Sequence, residues 1–248
     1  MSEFAAEFFG TALLILLGNG VVANVVLTGT KGNGGGWIVI TAGWALGVFA
    51  GVVVAAPHSG AHLNPAVTLG LSLAGMFSWA KVLPFIVAQM AGAMFGAAMV
   101  YNFYRDHFLL HAVDGAKQAC FCTAPAIRNI PRNIFSEIVG TFVLVFAVLY
   151  ASAPTLKIEG IGEAAVGLGS LEALPVALLV FGIGLSLGGT TGYAINPARD
   201  LGPRLVFGML SIPDKGPAGW NYAAVPVIGP LTGAAIAAGL QFLLQNYL

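Results

Sequence analysis

Long uncharged stretches make up most of the chain, and short clusters of charged residues separate them. Each stretch reaches or exceeds the roughly 18 residues that a membrane-spanning helix needs. The uncharged runs are 8–30, 32–80, 82–104, 138–156, 173–198 and 216–248. They predict transmembrane helices near 4–27, 37–56, 81–104, 133–152, 173–190 and 222–245.

Two further segments, 65–76 and 197–208, have the length of a half-span and are too short to cross a bilayer. Each begins at an Asn-Pro-Ala sequence, made of Asn64, Pro65 and Ala66 in the first and Asn196, Pro197 and Ala198 in the second. Asparagine followed by proline is typical of an N-cap and the first helical position. Two helices of about 15 Å placed end to end would cover the roughly 30 Å hydrocarbon core, so we predict two re-entrant half-helices.

The two halves of the chain repeat one another. Glu7 and Glu137 stand in matching Glu-x-x-Gly-Thr sequences 130 residues apart, and the Asn-Pro-Ala sequences recur at an offset of 132. Residues 1–104 and 133–248, joined by loop 105–132, each hold three predicted spans. Because three is odd, the second repeat enters the membrane from the opposite side, and the two half-helices are expected to meet at the midplane.

Composition places this all-α architecture in a lipid bilayer. Charged residues make up 8% of the chain and hydrophobic residues 58%, whereas an ordinary soluble domain is about 25% charged. Ten basic and ten acidic residues cancel, so the sequence indicates no nucleic-acid partner. Cys120 and Cys122 are too close for a favourable disulfide and too few for a zinc site, and no nucleophile is paired with a base. We therefore expect no metal, no cofactor and no enzymatic activity.

The chain resembles the major intrinsic proteins and, more narrowly, aquaglyceroporins similar to bacterial glycerol facilitators. The resemblance is carried by the paired Asn-Pro-Ala sequences, by Ser-Gly-Ala-His-Leu-Asn-Pro-Ala-Val-Thr at 59–68 and by Asn-Pro-Ala-Arg-Asp at 196–200. It implies one channel domain over 1–248 that passes glycerol, other small uncharged polyols and water while excluding protons and ions. It also implies a homotetramer in the plasma membrane, or the inner membrane of a Gram-negative bacterium, with both termini cytoplasmic.

The resemblance also assigns roles to individual residues. Those of the selectivity filter are Trp44, Gly184, Tyr193 and Arg199. Those whose carbonyls line the pore are Gly60, Ala61, His62, Leu63, Tyr193, Ala194 and Ile195. Glu7 and Glu137 are expected to brace these loops by accepting backbone N–H groups, while Asn64 and Asn196 donate to the passing solute.

Residues 184 and 193 bear on which solute passes. Water-selective relatives place histidine at the position of Gly184, and glycine there is expected to leave room for a carbon backbone. The most similar glycerol facilitators place phenylalanine at the position of Tyr193, so the rate for glycerol relative to water stays open. A mainly water-selective aquaporin is therefore an alternative. An ion-coupled transporter with Glu7 and Glu137 as proton carriers is a second.

Orientation is the point on which charge and resemblance disagree. The family's orientation leaves Lys81 and Lys157 as the basic residues inside, whereas the positive-inside rule favours the reverse. We follow the family. The histidines other than His62, namely His58, His107 and His111, are expected in loop or packing roles.

Overall fold

A computed structural model of the chain describes residues 1–110, 115–152, 154–158 and 162–247. His111 and its predicted role lie outside the described residues. Within them, the chain is a bundle of long apolar helices with two short helices between them. The long helices are α1 (Glu3–Val26), α2 (Gly36–Ser59), α4 (Trp79–Phe103), α7 (Ile130–Leu149), α8 (Leu174–Leu187) and α10 (Val225–Tyr247).

The prediction of six transmembrane helices is confirmed within the described residues. All six are long and apolar enough to cross a bilayer once two short 3₁₀ turns are included, Gly169–Ala173 before α8 and Trp220–Tyr222 before α10. At 1.5 Å per residue, the 24 residues of α1 reach about 36 Å, which exceeds the roughly 30 Å hydrocarbon core. The predicted boundaries lie a few residues from the observed ones.

The predicted half-helices are present as α3 (Pro65–Leu73) and α9 (Pro197–Met209). In each, asparagine is the N-cap in an extended conformation and proline is the first helical residue. Proline costs nothing there, because its missing N–H would have had no intrahelical acceptor. The local sequence therefore fixes where both helices begin.

The helices pack in a pattern that repeats between the two halves. Helix α1 packs against α2 and α4, as α7 packs against α8 and α10, and each half-helix crosses to the other half, with α3 on α10 and α9 on α4. Glycines allow this close approach: a methyl group on Gly92 would collide with the carbonyl of Phe8, and one on Gly233 with that of Ile138. The inverted repeat thus interlocks through its half-helices.

The loops contain structure that the sequence analysis did not predict. Loop 105–132 holds two short helices, α5 (Arg105–Leu110) and α6 (Ala116–Ala119). Between α7 and α8, strands β1 (Thr155–Ile158) and β2 (Gly162–Ala165) pair antiparallel, with Thr155 opposite Ala165. The prediction of an all-α protein holds for the membrane-spanning part, and this hairpin lies outside it.

Candidate functional site

The N-termini of the two half-helices meet inside the bundle. The side-chain amide of Asn64 donates to the carbonyl of Ile195 at 2.8 Å, and that of Asn196 donates to the carbonyl of Leu63 at 2.8 Å. Each Asn Oδ1 accepts the backbone N–H of the alanine two residues on, at 2.8 Å from Ala66 and 3.0 Å in the second helix. Because each NH₂ group has two hydrogens, each asparagine keeps one donor beyond these contacts.

The backbone before each asparagine takes up a strained conformation. Positive φ angles occur at Gly60, Ala61 and Leu63 in the first loop and at Gly192, Tyr193 and Ile195 in the second. Non-glycine residues in this region cost about 1–3 kcal/mol each. The positive φ angles fall at matching positions of the two loops, and the sequence did not predict them. Other contacts must offset the strain.

The Glu7 carboxylate supplies those contacts in the first loop. It accepts the backbone N–H of His62 at 2.9 Å and that of Leu63 at 2.8 Å. The Ser59 hydroxyl donates to it at 2.6 Å and the Gln89 amide at 2.8 Å. A buried carboxylate is tolerated when its oxygens are hydrogen-bonded in this way. Glu7 thus lies in the bracing position that the sequence analysis gave it.

Glu137 holds the second loop in the same manner. Its carboxylate accepts the backbone N–H of Ala194 at 3.0 Å and that of Ile195 at 2.8 Å, and Thr191 hydrogen-bonds to it as well. Thr191 lies 132 residues after Ser59, at the offset of the Asn-Pro-Ala sequences. The hydrogen bonds to Glu7 and Glu137 therefore repeat between the two halves of the chain.

A cavity of about 310 Å³ runs from these loops to both sides of the junction. It is lined by most of the predicted site residues: Trp44, Gly60, Ala61, His62, Leu63, Asn64, Tyr193, Ala194, Ile195, Asn196 and Arg199. The other lining residues are mostly apolar and come largely from the spans, for example Leu14, Val48, Leu144 and Val180, with Val67 from α3. The cavity therefore has a polar side and an apolar side.

Two of the lining carbonyls already have a partner. Leu63 and Ile195 accept the amides of the asparagines across the junction. A carbonyl oxygen has two lone pairs, so these groups can still accept from a solute. These two carbonyls therefore also hold the two half-helices together.

Arg199, Trp44 and Tyr193 lie together at the end of the site where a filter is predicted, which we call the narrow end. The Arg199 guanidinium lies over the Trp44 ring, with Cζ 3.9 Å from the ring centroid. Among the residues that the structure describes, this guanidinium donates no hydrogen bond from its side chain, so its N–H groups can donate to a solute. The Tyr193 hydroxyl is also buried without a hydrogen-bond partner in the described part of the chain. The three residues predicted here are thus brought together.

Gly184 acts differently from the prediction. It does not belong to the cavity lining given above, because the Tyr193 ring fills the space next to it. A methyl group on Gly184 would lie 2.9 Å from Tyr193 Cζ and 3.1 Å from its hydroxyl oxygen. The room left by the glycine is occupied by the tyrosine and not by a carbon backbone of the solute.

A buried ion pair next to Arg199 was not predicted. Arg204 Nε donates to Asp200 Oδ1 at 2.8 Å, and both side chains are fully buried. The Thr123 N–H and hydroxyl donate to Asp200 at 2.7 and 2.6 Å. The remaining Arg204 donors reach the carbonyls of Thr123, Ala218 and Gly219. Because every group is paired, the cluster ties loop 105–132 to the first turn of α9.

The histidines divide as predicted into one that lines the cavity and others elsewhere. His62 lies 3.1 Å from the Thr68 hydroxyl, and its ring packs against Phe77 at 4.4 Å between centroids. His107 contacts the carbonyl of Thr28 in a loop, and His58 is exposed in the last turn of α2. Of the three histidines in the described ranges, His62 is the one that lines the cavity.

The two cysteines are buried free thiols. Burial raises the pKa of the Cys120 thiol. Burial, and to a lesser extent the nearby Asp200 carboxylate, raises the pKa of the Cys122 thiol to about 12. Thiols in such surroundings are inert because the reactive thiolate is suppressed. In the described part of the chain, no cluster of His, Cys, Asp and Glu could hold a metal ion.

Comparison with known proteins places this chain in a family. The chain matches the family described as Major intrinsic protein over residues 1–241. It is 52% identical over 237 residues to the glycerol uptake facilitator protein of Streptococcus pneumoniae R6, which covers 96% of this chain and 97% of that one. It is 39% identical to the D/L-lactic acid transporter of Lactiplantibacillus plantarum, over 95% and 94% of the two chains. The X-ray structure of the aquaglyceroporin from Plasmodium falciparum is similar at TM-score 0.79 and 32% identity, covering 97% and 94%.

Proposed function

We infer that this chain, which belongs to the major intrinsic protein family, is a transmembrane glycerol channel. The observation that carries the inference is the junction where Asn64 and Asn196 meet inside a cavity that extends to both sides of it. A glycerol molecule has hydroxyls along one edge and CH groups along the other. Loop carbonyls and asparagine donors suit the first edge, and the apolar spans suit the second.

We propose that ions and protons are excluded at the same junction. Each half-helix N-terminus carries roughly half a positive charge, and the two point at one place. The Arg199 guanidinium adds a full positive charge near the narrow end. A cation would meet this field without its hydration shell, whereas a neutral solute would not. A water or hydroxyl oxygen held by the asparagine donors also cannot continue a proton wire.

The proposed filter consists of Trp44, Tyr193 and Arg199, with Gly184 acting through Tyr193. The stacked Arg199 and Trp44 give a solute donors on one side and an apolar face on the other. Water is proposed to pass as well, because it is smaller than glycerol and is held by the same donors. Small polyols other than glycerol are proposed permeants for the same chemical reason.

The setting of the channel is proposed from the family. We expect a homotetramer with one pore per chain in the plasma membrane, or in the inner membrane of a Gram-negative source. Both termini are expected in the cytoplasm. Loop 105–132, which Thr123 ties to the buried Asp200–Arg204 pair of α9, would then form the outer vestibule.

Stopped-flow light scattering on vesicles containing the purified protein tests the proposed function. We expect glycerol and water to cross faster than in empty vesicles, without saturation and without any ion gradient. Flux of water alone would favour a water-selective aquaporin. Saturable uptake driven by a proton or sodium gradient would instead favour a coupled transporter with Glu7 and Glu137 as carriers.

One relative makes undissociated lactic acid a second permeant to test. That relative bears the name D/L-lactic acid transporter and aligns over 95% of this chain. The neutral acid is a three-carbon molecule with hydroxyl groups, like glycerol. Uptake by the same vesicles should then rise as the pH falls toward the acid's own pKa. Uptake equal to that of empty vesicles at every pH would exclude this permeant.

A further inference from the structure

Trp37, in the first turn of α2, makes two contacts that join three elements of the narrow end. Its indole N–H donates to the carbonyl of Gly184 at 2.9 Å. Its ring meets the Tyr193 ring edge-on, with centroids 5.8 Å apart and planes at 81°. Trp37 thus links α2, the end of α8 and the loop that precedes Asn196.

The Gly184 carbonyl needs such a partner because of where α8 ends. The helix stops at Leu187, and the carbonyls of a helix's last turn lack intrahelical donors. The indole N–H supplies one from a neighbouring span. Tryptophan combines this donor with a large apolar ring, so it can fix a helix end and an aromatic neighbour together.

The Tyr193 ring is held in a notch of α8. The notch consists of Gly184 and Gly188, one turn apart, and a methyl group on either would contact the ring. A methyl group on Gly188 would also lie 2.8 Å from Trp37 Cζ2, so the indole closes the notch. Only 5% of Tyr193 is exposed, and the residue lines the cavity. Its position therefore sets the local width.

We propose that Trp37 is a positioning residue of the filter, which holds the Tyr193 ring in the glycine notch and so sets the size of solute that passes. Within the described residues, Trp37 is not among the side chains that line the cavity, so it acts through Tyr193. The inference rests on the proposed glycerol channel. It goes beyond that channel by assigning size discrimination to a residue outside the cavity lining.

Removing the indole leaves space behind the Tyr193 ring. The ring can then swing away from the cavity, and the freed Gly184 carbonyl loosens the end of α8. An edge-on aromatic contact corresponds to about two- to tenfold in the equilibrium between two ring positions. The Trp37→Ala variant should therefore pass a five-carbon polyol such as xylitol two- to tenfold faster relative to glycerol. Trp37→Phe keeps a ring but loses the N–H donor, and its ratio should lie between those of Trp37→Ala and wild type.

The experiment measures xylitol and glycerol flux in vesicles, and reports their ratio, for these variants and for Trp79→Ala as control. Trp79 begins α4, is 57% exposed and is remote from the filter contacts described above. A third arm places Trp37→Ala in a Tyr193→Ala background, where it should change the ratio no further. An unchanged or lower ratio in both Trp37 variants, or a full additional effect without the tyrosine, would overturn the proposal. Wild-type vesicles as tight to glycerol as empty ones would instead reject the channel itself.

Discussion

Replacing Gly184 by alanine is the sharpest perturbation that the narrow end offers. The added methyl group would lie 2.9 Å from Tyr193 Cζ and 2.9 Å from Thr41 Cγ2. Apolar heavy atoms pack at about 3.5–4.0 Å, so the tyrosine ring must move by about 0.6–1.1 Å. Thr41 and the rest of α2 block one direction, and the cavity is open on the other. We therefore expect the ring to move into the cavity.

The size of the effect follows from the cost of overpacking. Extra methyl groups in a packed site cost about 1–3 kcal/mol, which corresponds to about 5- to 150-fold in a rate limited at that point. Glycerol flux should fall within this range. Water flux should fall less, because water is smaller than the constriction that remains. The ratio of glycerol to water flux should therefore drop.

Stopped-flow measurements of glycerol and water flux in vesicles check this prediction. Gly182→Ala is the matched control, because it lies on the same helix and a methyl group there meets nothing within 4 Å. If the two variants show equal glycerol-to-water ratios, the reasoning about the tyrosine is refuted. Combining Gly184→Ala with Tyr193→Ala should restore glycerol flux, since the group that is displaced is then gone.

Three further predictions concern the groups around the pore. Asp200→Ala leaves the buried Arg204 unpaired at a cost of about 3–5 kcal/mol, so the midpoint of thermal unfolding in detergent should fall by roughly 6–20 °C. Glu3→Ala is the control, because it removes an exposed ion pair with Lys81. A fall of the midpoint as large in Glu3→Ala would contradict this prediction. Glu137→Gln puts an NH₂ donor against one of the two backbone N–H groups that the carboxylate accepts, and that N–H then loses its acceptor. Glycerol flux should therefore fall severalfold and the thermal midpoint should drop. Wild-type values for both would argue against the brace. Cys120 and Cys122 should resist maleimide at pH 7.5 in the native protein and react with it after denaturation, because both thiols are buried and have a raised pKa. Rapid labelling of these thiols in the native protein would contradict this prediction.

The membrane-spanning fold was readable from the sequence because its determinants are local. Runs of about 20 uncharged residues predict spans wherever they occur, and Asn-Pro specifies a helix start within two residues. The Asn-Pro-Ala sequences recur at an offset of 132, and three spans in each half then imply that the repeat is inverted and that the two half-helices meet. None of these steps requires knowing which residues touch.

The remainder of the site depends on contacts between distant residues. The hydrogen bond from Trp37 to Gly184 spans 147 positions, and a lone tryptophan near a helix start is typical of a membrane interface. Thr123 reaches Asp200 from 77 positions away, out of a loop whose two short helices carry no periodic signal. Gly184 was predicted in the filter by resemblance, but which group fills the space beside it depends on the path of the loop at Tyr193.

Glycerol flux through vesicles that contain only this protein and lipid, with no ion gradient, tests the central claim most directly. We predict flux well above that of empty vesicles, rising in proportion to the glycerol gradient, together with a proton leak no greater than that of empty vesicles. Vesicles that stay tight to glycerol, or that conduct protons along with it, would contradict the account of two half-helices forming a neutral-solute pore.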